Sequence, residues 1–164
     1  MAIARFEKVS RDQFLKDAEK LGYDLNEADK AYEKITLPKR ATQKSAGYDF
    51  VSPFKVELKN GERKMIPTGI RCYMEDGYVL KVYPRSSMGL KRGIRLQNTV
   101  GIIDADYYEA LNEGHIMIAL CSDFDEALIE AGERFCQGIF LRFYLALEET
   151  IDTKRVGGYG SSGK

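Results

Sequence analysis

From Ala46 onward apolar residues alternate with a period of two, and that periodicity limits the fold more than any other feature of the chain. Segments 54–58 (FKVEL), 78–83 (YVLKVY), 115–121 (HIMIALC) and 134–147 (RFCQGIFLRFYLAL) read as strands, because successive side chains of a strand point to opposite faces. Asn60-Gly61 and Asp76-Gly77 are turn dipeptides that punctuate the series. Many short strands with closely spaced turns predict an all-β sandwich or barrel.

Residues 10–35 follow a different rule. Ser10 with Gln13 three residues later forms a capping box, Phe14, Leu15, Ala18 and Leu21 recur at helical spacing, and Gly22 stops the turn. Asn26 is placed to cap a second helix through Ala28, Ala31, Tyr32 and Ile35, ended by Pro38. The pair reads as an α-hairpin laid against something else, an addition without catalytic duty.

Composition decides the class of partner. The chain has 164 residues, enough for one domain, with 25 Lys plus Arg against 25 Asp plus Glu. With no net charge, no global field draws it to nucleic acid or to an anionic membrane, so an anionic ligand must be held by local basic groups. Cys72, Cys121 and Cys136 are odd in number and lack zinc-type spacing, which predicts buried thiols rather than disulfides. Arg5, Glu7 and Lys8 break up the start as a signal peptide, and no apolar run nears the roughly 18 residues of a membrane span. A cytoplasmic location is expected.

The chemistry concentrates in residues 98–108, NTVGIIDADYY. An apolar run at 100–103 delivers Asp104 to a strand end, with Asp106 and Tyr107 just beyond. Backbone partners run out there, so a carboxylate and an aromatic face a ligand instead of the core. Partial desolvation raises a carboxylate's proton affinity and suits it to general-base work. The same residues also suit plain duty, Asp as a turn former and Tyr107 and Tyr108 as rim packing. Arg85, Ser86, Ser87 and Gly89 form a turn with a planar fork and amides for an anion. The tail at 154–164, KRVGGYGSSGK, is too rich in glycine and serine to make a core and reads as a mobile arm able to close over a phosphorylated ligand.

Five segments taken in order complete the reading: AGYD (46–49), PRSSMG (84–89), NTVGIIDADYY (98–108), GERFCQG (132–138) and GGYGSSG (157–163). Together they resemble the motifs of the trimeric dUTP pyrophosphatases, or dUTPases. The resemblance implies a distorted jelly-roll, β-barrel-like fold with an N-terminal helical extension, and a homotrimer with three shared sites. A single domain over 1–164 is expected, divided into the extension (10–35), a β core (46–150) and a flexible glycine-rich arm (151–164).

The resemblance also implies roles. Asp104 matches the base that activates a water for attack on the α-phosphorus of dUTP, giving dUMP for thymidylate synthesis, and pyrophosphate. Asn98 matches the reader of the uracil edge, with Gly101 and Ile103 among the substrate-binding positions, and Tyr107 matches the ring that leaves no room for a 2′-hydroxyl. Arg85, Ser86 and Ser87 match the triphosphate loop, with Ser86 and Gln137 also catalytic. Asp49 matches a carboxylate that meets Mg²⁺ through water. Tyr159 matches the aromatic that covers uracil, with Gly160 beside it and Arg155 and Ser161 on the terminal phosphates. Lys154 occupies the position where many members carry the arginine, and the stretch after Tyr107, YEALNEG, is longer than the usual turn. Mg²⁺ is expected as the cofactor, brought by the substrate.

Two other readings compete. A dCTP deaminase, or a bifunctional relative, shares the RSS loop, but its glutamate falls at Ala119 here. A nucleotide-gated regulatory binding protein would use the helical extension to recruit a partner, through an exposed face that includes Phe14 and Tyr32.

Overall fold

The alternating segments become strands, and most of them pair with partners far away in the chain. The structure, a computed structural model, describes residues 2–147. In chain order its elements are β1 (Ala4–Lys8), α1 (Arg11–Lys20), α2 (Leu25–Lys34), β2 (Lys39–Arg40), β3 (Tyr48–Val51), β4 (Val56–Lys59) and β5 (Arg63–Pro67). There follow β6 (Ile70–Met74), β7 (Tyr78–Pro84), α3 (Ser86–Arg92), β8 (Ile94–Leu96), β9 (Gly101–Asp104), a 3-10 turn (Ala105–Glu109), β10 (Met117–Ser122), β11 (Glu126–Ile129) and β12 (Arg134–Arg142). The class is all-β with a helical extension, as expected.

The largest sheet has the order β2-β3-β12-β7-β9, so the last strand of the described chain lies in its middle. A second sheet runs β5-β10-β8, and two ribbons pair β1 with β6 and β4 with β11. Leu58, Ile66, Leu80, Ile118 and Phe135 lie buried between these layers. Val56 and Leu58 point inward while Glu57 and Lys59 point out, the alternation that a half-buried strand demands.

Several boundaries differ from expectation. Strand 134–147 ends at Arg142, and Tyr144, Leu145 and Leu147 lie exposed beyond it. His115 and Ile116 are still turning: the Ile116 amide donates to the Ile70 carbonyl, and the ladder begins at Met117. Asn60-Gly61 and Asp76-Gly77 do turn the chain, but each carries it from one sheet to another instead of closing a hairpin. All three cysteines are buried and free. Among the described residues no helix is long and apolar enough to cross a membrane.

The extension forms two helices of the expected extent with different caps. Ser10 accepts from the Gln13 amide, but the Gln13 side chain reaches Asp17 instead of turning back to Ser10. Glu113 supplies that missing half, accepting from the Ser10 amide at 2.7 Å and its hydroxyl at 2.6 Å. Asp24, not Asn26, caps α2, accepting from the Glu27 amide. Phe14 and Ala28 are fully buried, and the Phe14 ring packs against Phe54, Tyr32 and His115. The extension is therefore laid onto the β core, its apolar face turned inward.

Candidate active site

The run before Asp104 builds one wall of a cavity. β9 is the edge strand of the large sheet and pairs with β7, placing Gly101 opposite Val82 and Asp104 opposite Val79. Ahead of β9 the chain makes a tight reversal in which Thr99 has φ +67° and the Val100 amide donates to the Asn98 carbonyl at 2.7 Å. A β-branched residue in the left-handed region costs roughly 1–3 kcal/mol, and such strain collects at ligand-facing turns. The reversal leaves Asn98 exposed at the mouth of a cavity of about 210 Å³. Asn98, Gly101, Ile103 and Tyr107 all line it, with Val82, Leu96 and Met117 as apolar neighbours. Four substrate-binding positions expected from the sequence thus meet in one place.

Asp104 ends β9 and stands at the N-cap of the 3-10 turn, half-buried beside that cavity. Tyr107 and Tyr108 part company. Tyr107 is only 4 % exposed; its hydroxyl donates to the His115 carbonyl at 2.8 Å and accepts from Asn112 Nδ2 at 2.8 Å, and the residue lines the cavity. Tyr108 turns away to bond Glu7, with the Arg71 guanidinium over its ring at 3.7 Å. Rim packing describes Tyr108 and not Tyr107.

A second cluster is charged. The 84–89 stretch, expected as a turn, enters a helix: Arg85 is its N-cap, and Ser86 and Ser87 occupy the first turn, where helix amides lack intrahelical partners. The Arg85 amide donates to the Phe135 carbonyl of β12, and Arg92 at the far end bonds the Leu128 carbonyl of β11 and Glu133 in the turn between β11 and β12, which holds α3 at both ends. Arg85 Nε lies 3.2 Å from Asp49 Oδ1, and Arg134 Nη1 lies 3.0 Å from Asp49 Oδ2. Gln137 is the cross-strand neighbour of Asp49, and its side chain lies over Gly47, where a Cβ would overlap its Oε1. Arg134 escaped the sequence reading; its one signal was a basic residue inside the same short motif as Gln137.

Both oxygens of Asp49 are thus occupied by guanidiniums, and among the described residues no group of three His, Cys, Asp or Glu side chains could hold a metal ion. The donor set does not fit a divalent ion bound directly by this chain.

One chain does not unite the two clusters. Asp104 pairs opposite Val79 and Gln137 opposite Tyr83, four residues along β7, or about 14 Å of strand. Arg85 is six residues from Val79, roughly 20 Å away. Arg155, Tyr159, Gly160 and Ser161, with Lys154, lie outside the described residues.

Comparison with known proteins gives a consistent answer. The dUTPase family model matches residues 33–163. A deoxyuridine 5′-triphosphate nucleotidohydrolase of Lactococcus lactis is 46% identical over 133 residues, covering 79% of this chain and 89% of that protein. The crystal structure of dUTPase from Streptococcus mutans covers 86% of this chain and 97% of its own, at 35% identity and a TM-score of 0.67. A mutant dUTPase of phage phi11 of S. aureus, whose structure concerns the coordination of a structural Mg(II) ion, matches with a TM-score of 0.67 at 17% identity, over 93% of this chain and 98% of its own; it speaks to the fold alone.

Proposed function

The chain belongs to the dUTPase family and hydrolyses dUTP to dUMP and pyrophosphate, and on that premise we propose how its own residues divide the work. One observation carries the assignment of the nucleoside end: Asn98, Gly101, Ile103 and Tyr107 line a single cavity whose wall strand ends in Asp104. Asn98 offers both a donor and an acceptor to the imide edge of uracil. Tyr107 walls the deoxyribose. Asp104 takes a proton from the water that attacks the α-phosphorus.

Arg85, Ser86 and Ser87 bind the triphosphate, and Asp49 with Arg134 holds the Arg85 fork in place for it. Gln137, whose side chain lies over Gly47, orients the α-phosphate and the water. Magnesium would come with the triphosphate, where it would balance the phosphate charge, and Asp49 would meet it only through water. Arg155, Tyr159, Gly160 and Ser161, outside the described residues, keep the roles that the family resemblance implies, Tyr159 at the uracil and Arg155 and Ser161 at the terminal phosphates.

A homotrimer with three shared sites is supported by the separation of the two clusters: roughly 14–20 Å along β7 keeps the base of one chain from the phosphate cluster of the same chain. A cytoplasmic location is supported by three buried free thiols. Deamination is disfavoured because Ala119, in the place of the deaminase glutamate, lines the cavity and has no proton to give.

The test is pyrophosphate release from dUTP, with dCTP, dTTP and UTP as controls, with and without Mg²⁺. Release confined to dUTP and dependent on Mg²⁺ is expected. Ammonia from dCTP without pyrophosphate from dUTP would overturn the assignment.

A further inference from the structure

The helices of residues 10–35 precede most of the region matched by the family model, which begins at residue 33. Yet α1 is bonded at both ends to the segment that follows Tyr107. At its start, Ser10 gives its amide and hydroxyl to the two carboxylate oxygens of Glu113. One turn before its end, Asp17 Oδ2 lies 2.7 Å from His115 Nδ1, and both side chains are buried. The Gly69 amide donates to His115 Nε2 at 2.8 Å, so the imidazole carries its proton on Nδ1 and gives it to Asp17. Gln13 holds the same Asp17 oxygen from the preceding turn of α1.

From this segment the bonds continue to the cavity. The His115 carbonyl accepts from the Tyr107 hydroxyl, and Asn112 donates to that hydroxyl. Gly114 folds so closely back that a Cβ on it would stand 2.6 Å from the Tyr107 carbonyl oxygen. The long YEALNEG stretch is thus a bracket between α1 and Tyr107, which lines the cavity.

We infer that α1 is a positioning element for the sugar end of the site: Ser10 and Asp17 hold Glu113 and His115, and the loop so held sets the Tyr107 ring that excludes a ribose 2′-hydroxyl. Neither Asp17 nor Ser10 lines the cavity. A change in how the loop is held tilts Tyr107 and so alters discrimination between deoxyribose and ribose more than it alters the chemical step. The inference rests on the reading of Tyr107 as the sugar wall.

The experiment measures kcat/KM for dUTP and for UTP, and their ratio, in folded variants checked by thermal unfolding. Asp17→Ala is expected to lower the ratio by about 2- to 30-fold, the range seen for substitutions that act through a contact network. Asp17→Asn, whose amide oxygen still accepts from His115 Nδ1, restores most of it. In a Tyr107→Phe background, where the hydroxyl that the loop holds is gone, Asp17→Ala lowers the ratio little further. If Asp17→Ala does not fold, Glu113→Gly decides, since it cuts both bonds to Ser10 and suits the φ of +58° at that position. An unchanged ratio in the folded outer variants, or a fully additive effect in the Tyr107→Phe background, overturns the inference. Tyr107→Ala separates the two layers: a wild-type ratio there sinks the sugar-wall reading itself, whereas a lost ratio with unaffected outer variants sinks only the role of α1.

Discussion

Arg85 reaches back from the N-cap of α3 to Asp49 on β3, with Nε and Oδ1 3.2 Å apart. The carboxylate is nearly buried and the guanidinium about a third exposed, so the pair is a partly desolvated clamp rather than a surface contact. It holds the Arg85 guanidinium in one orientation.

Asp49→Asn is therefore expected to weaken substrate handling through orientation. The amide cannot hold two guanidiniums, and kcat/KM for dUTP should fall by about tenfold or more, a typical cost of a misplaced binding group. Steady-state kinetics beside a thermal unfolding scan will separate this from a loss of fold.

Asp104→Asn should still bind dUTP, because the cavity lining is unchanged, but turnover should drop by roughly 10²–10⁴. Calorimetric binding together with pyrophosphate release measures both halves. Near-normal turnover would remove Asp104 from the mechanism.

Shared sites predict complementation. Asp104→Asn and Arg85→Ala chains, each inactive alone, are expected to regain on the order of a quarter of full activity when unfolded together and refolded as mixed oligomers, since half-sites from different chains then combine at random. Mixtures that stay inactive would place each whole site within one chain.

Gly114→Ala should cost roughly 2 kcal/mol or more of stability, because φ is +69° there and the new methyl meets the Tyr107 and Tyr108 backbone. Urea unfolding at fixed pH reads it directly.

Asp17 links stability to acid. Burial alone would raise its pKa, but hydrogen bonds from His115 and Gln13 outweigh that and hold it below its ordinary value of 3.8. A depressed carboxylate pKa contributes stability that is fully present above the unfolded value and is lost as pH falls through the folded one. Unfolding free energy followed from neutral pH to about pH 3 should fall more steeply for the wild type than for Asp17→Asn.

Much of this was legible in the sequence, and the misses share a cause. Strands with clean alternation, such as β7, announced themselves. β1 did not: five residues paired with Ile70–Met74 take their meaning from a partner more than sixty positions away. Asp24 was passed over for Asn26 although Glu27 completes a capping pattern from Asp24, because two good cap residues stood two apart and only packing chose. The 84–89 stretch resembled a turn because α3 is short and carries Gly89 within it. For the site, Asn98, Gly101, Ile103 and Tyr107 came from one contiguous motif and line one cavity. Arg134 and His115 act through contacts that no spacing records.

The central place of β12 has a consequence for how the protein is made. Its neighbours β3 and β7 leave the ribosome long before it does, yet neither pairs with the other, and both bond to residues 134–142. At about 5–20 residues per second, the nascent chain waits several seconds with two hydrophobic strand edges unsatisfied. Synthesis halted ahead of that strand would release a polypeptide prone to aggregate rather than a smaller version of the enzyme.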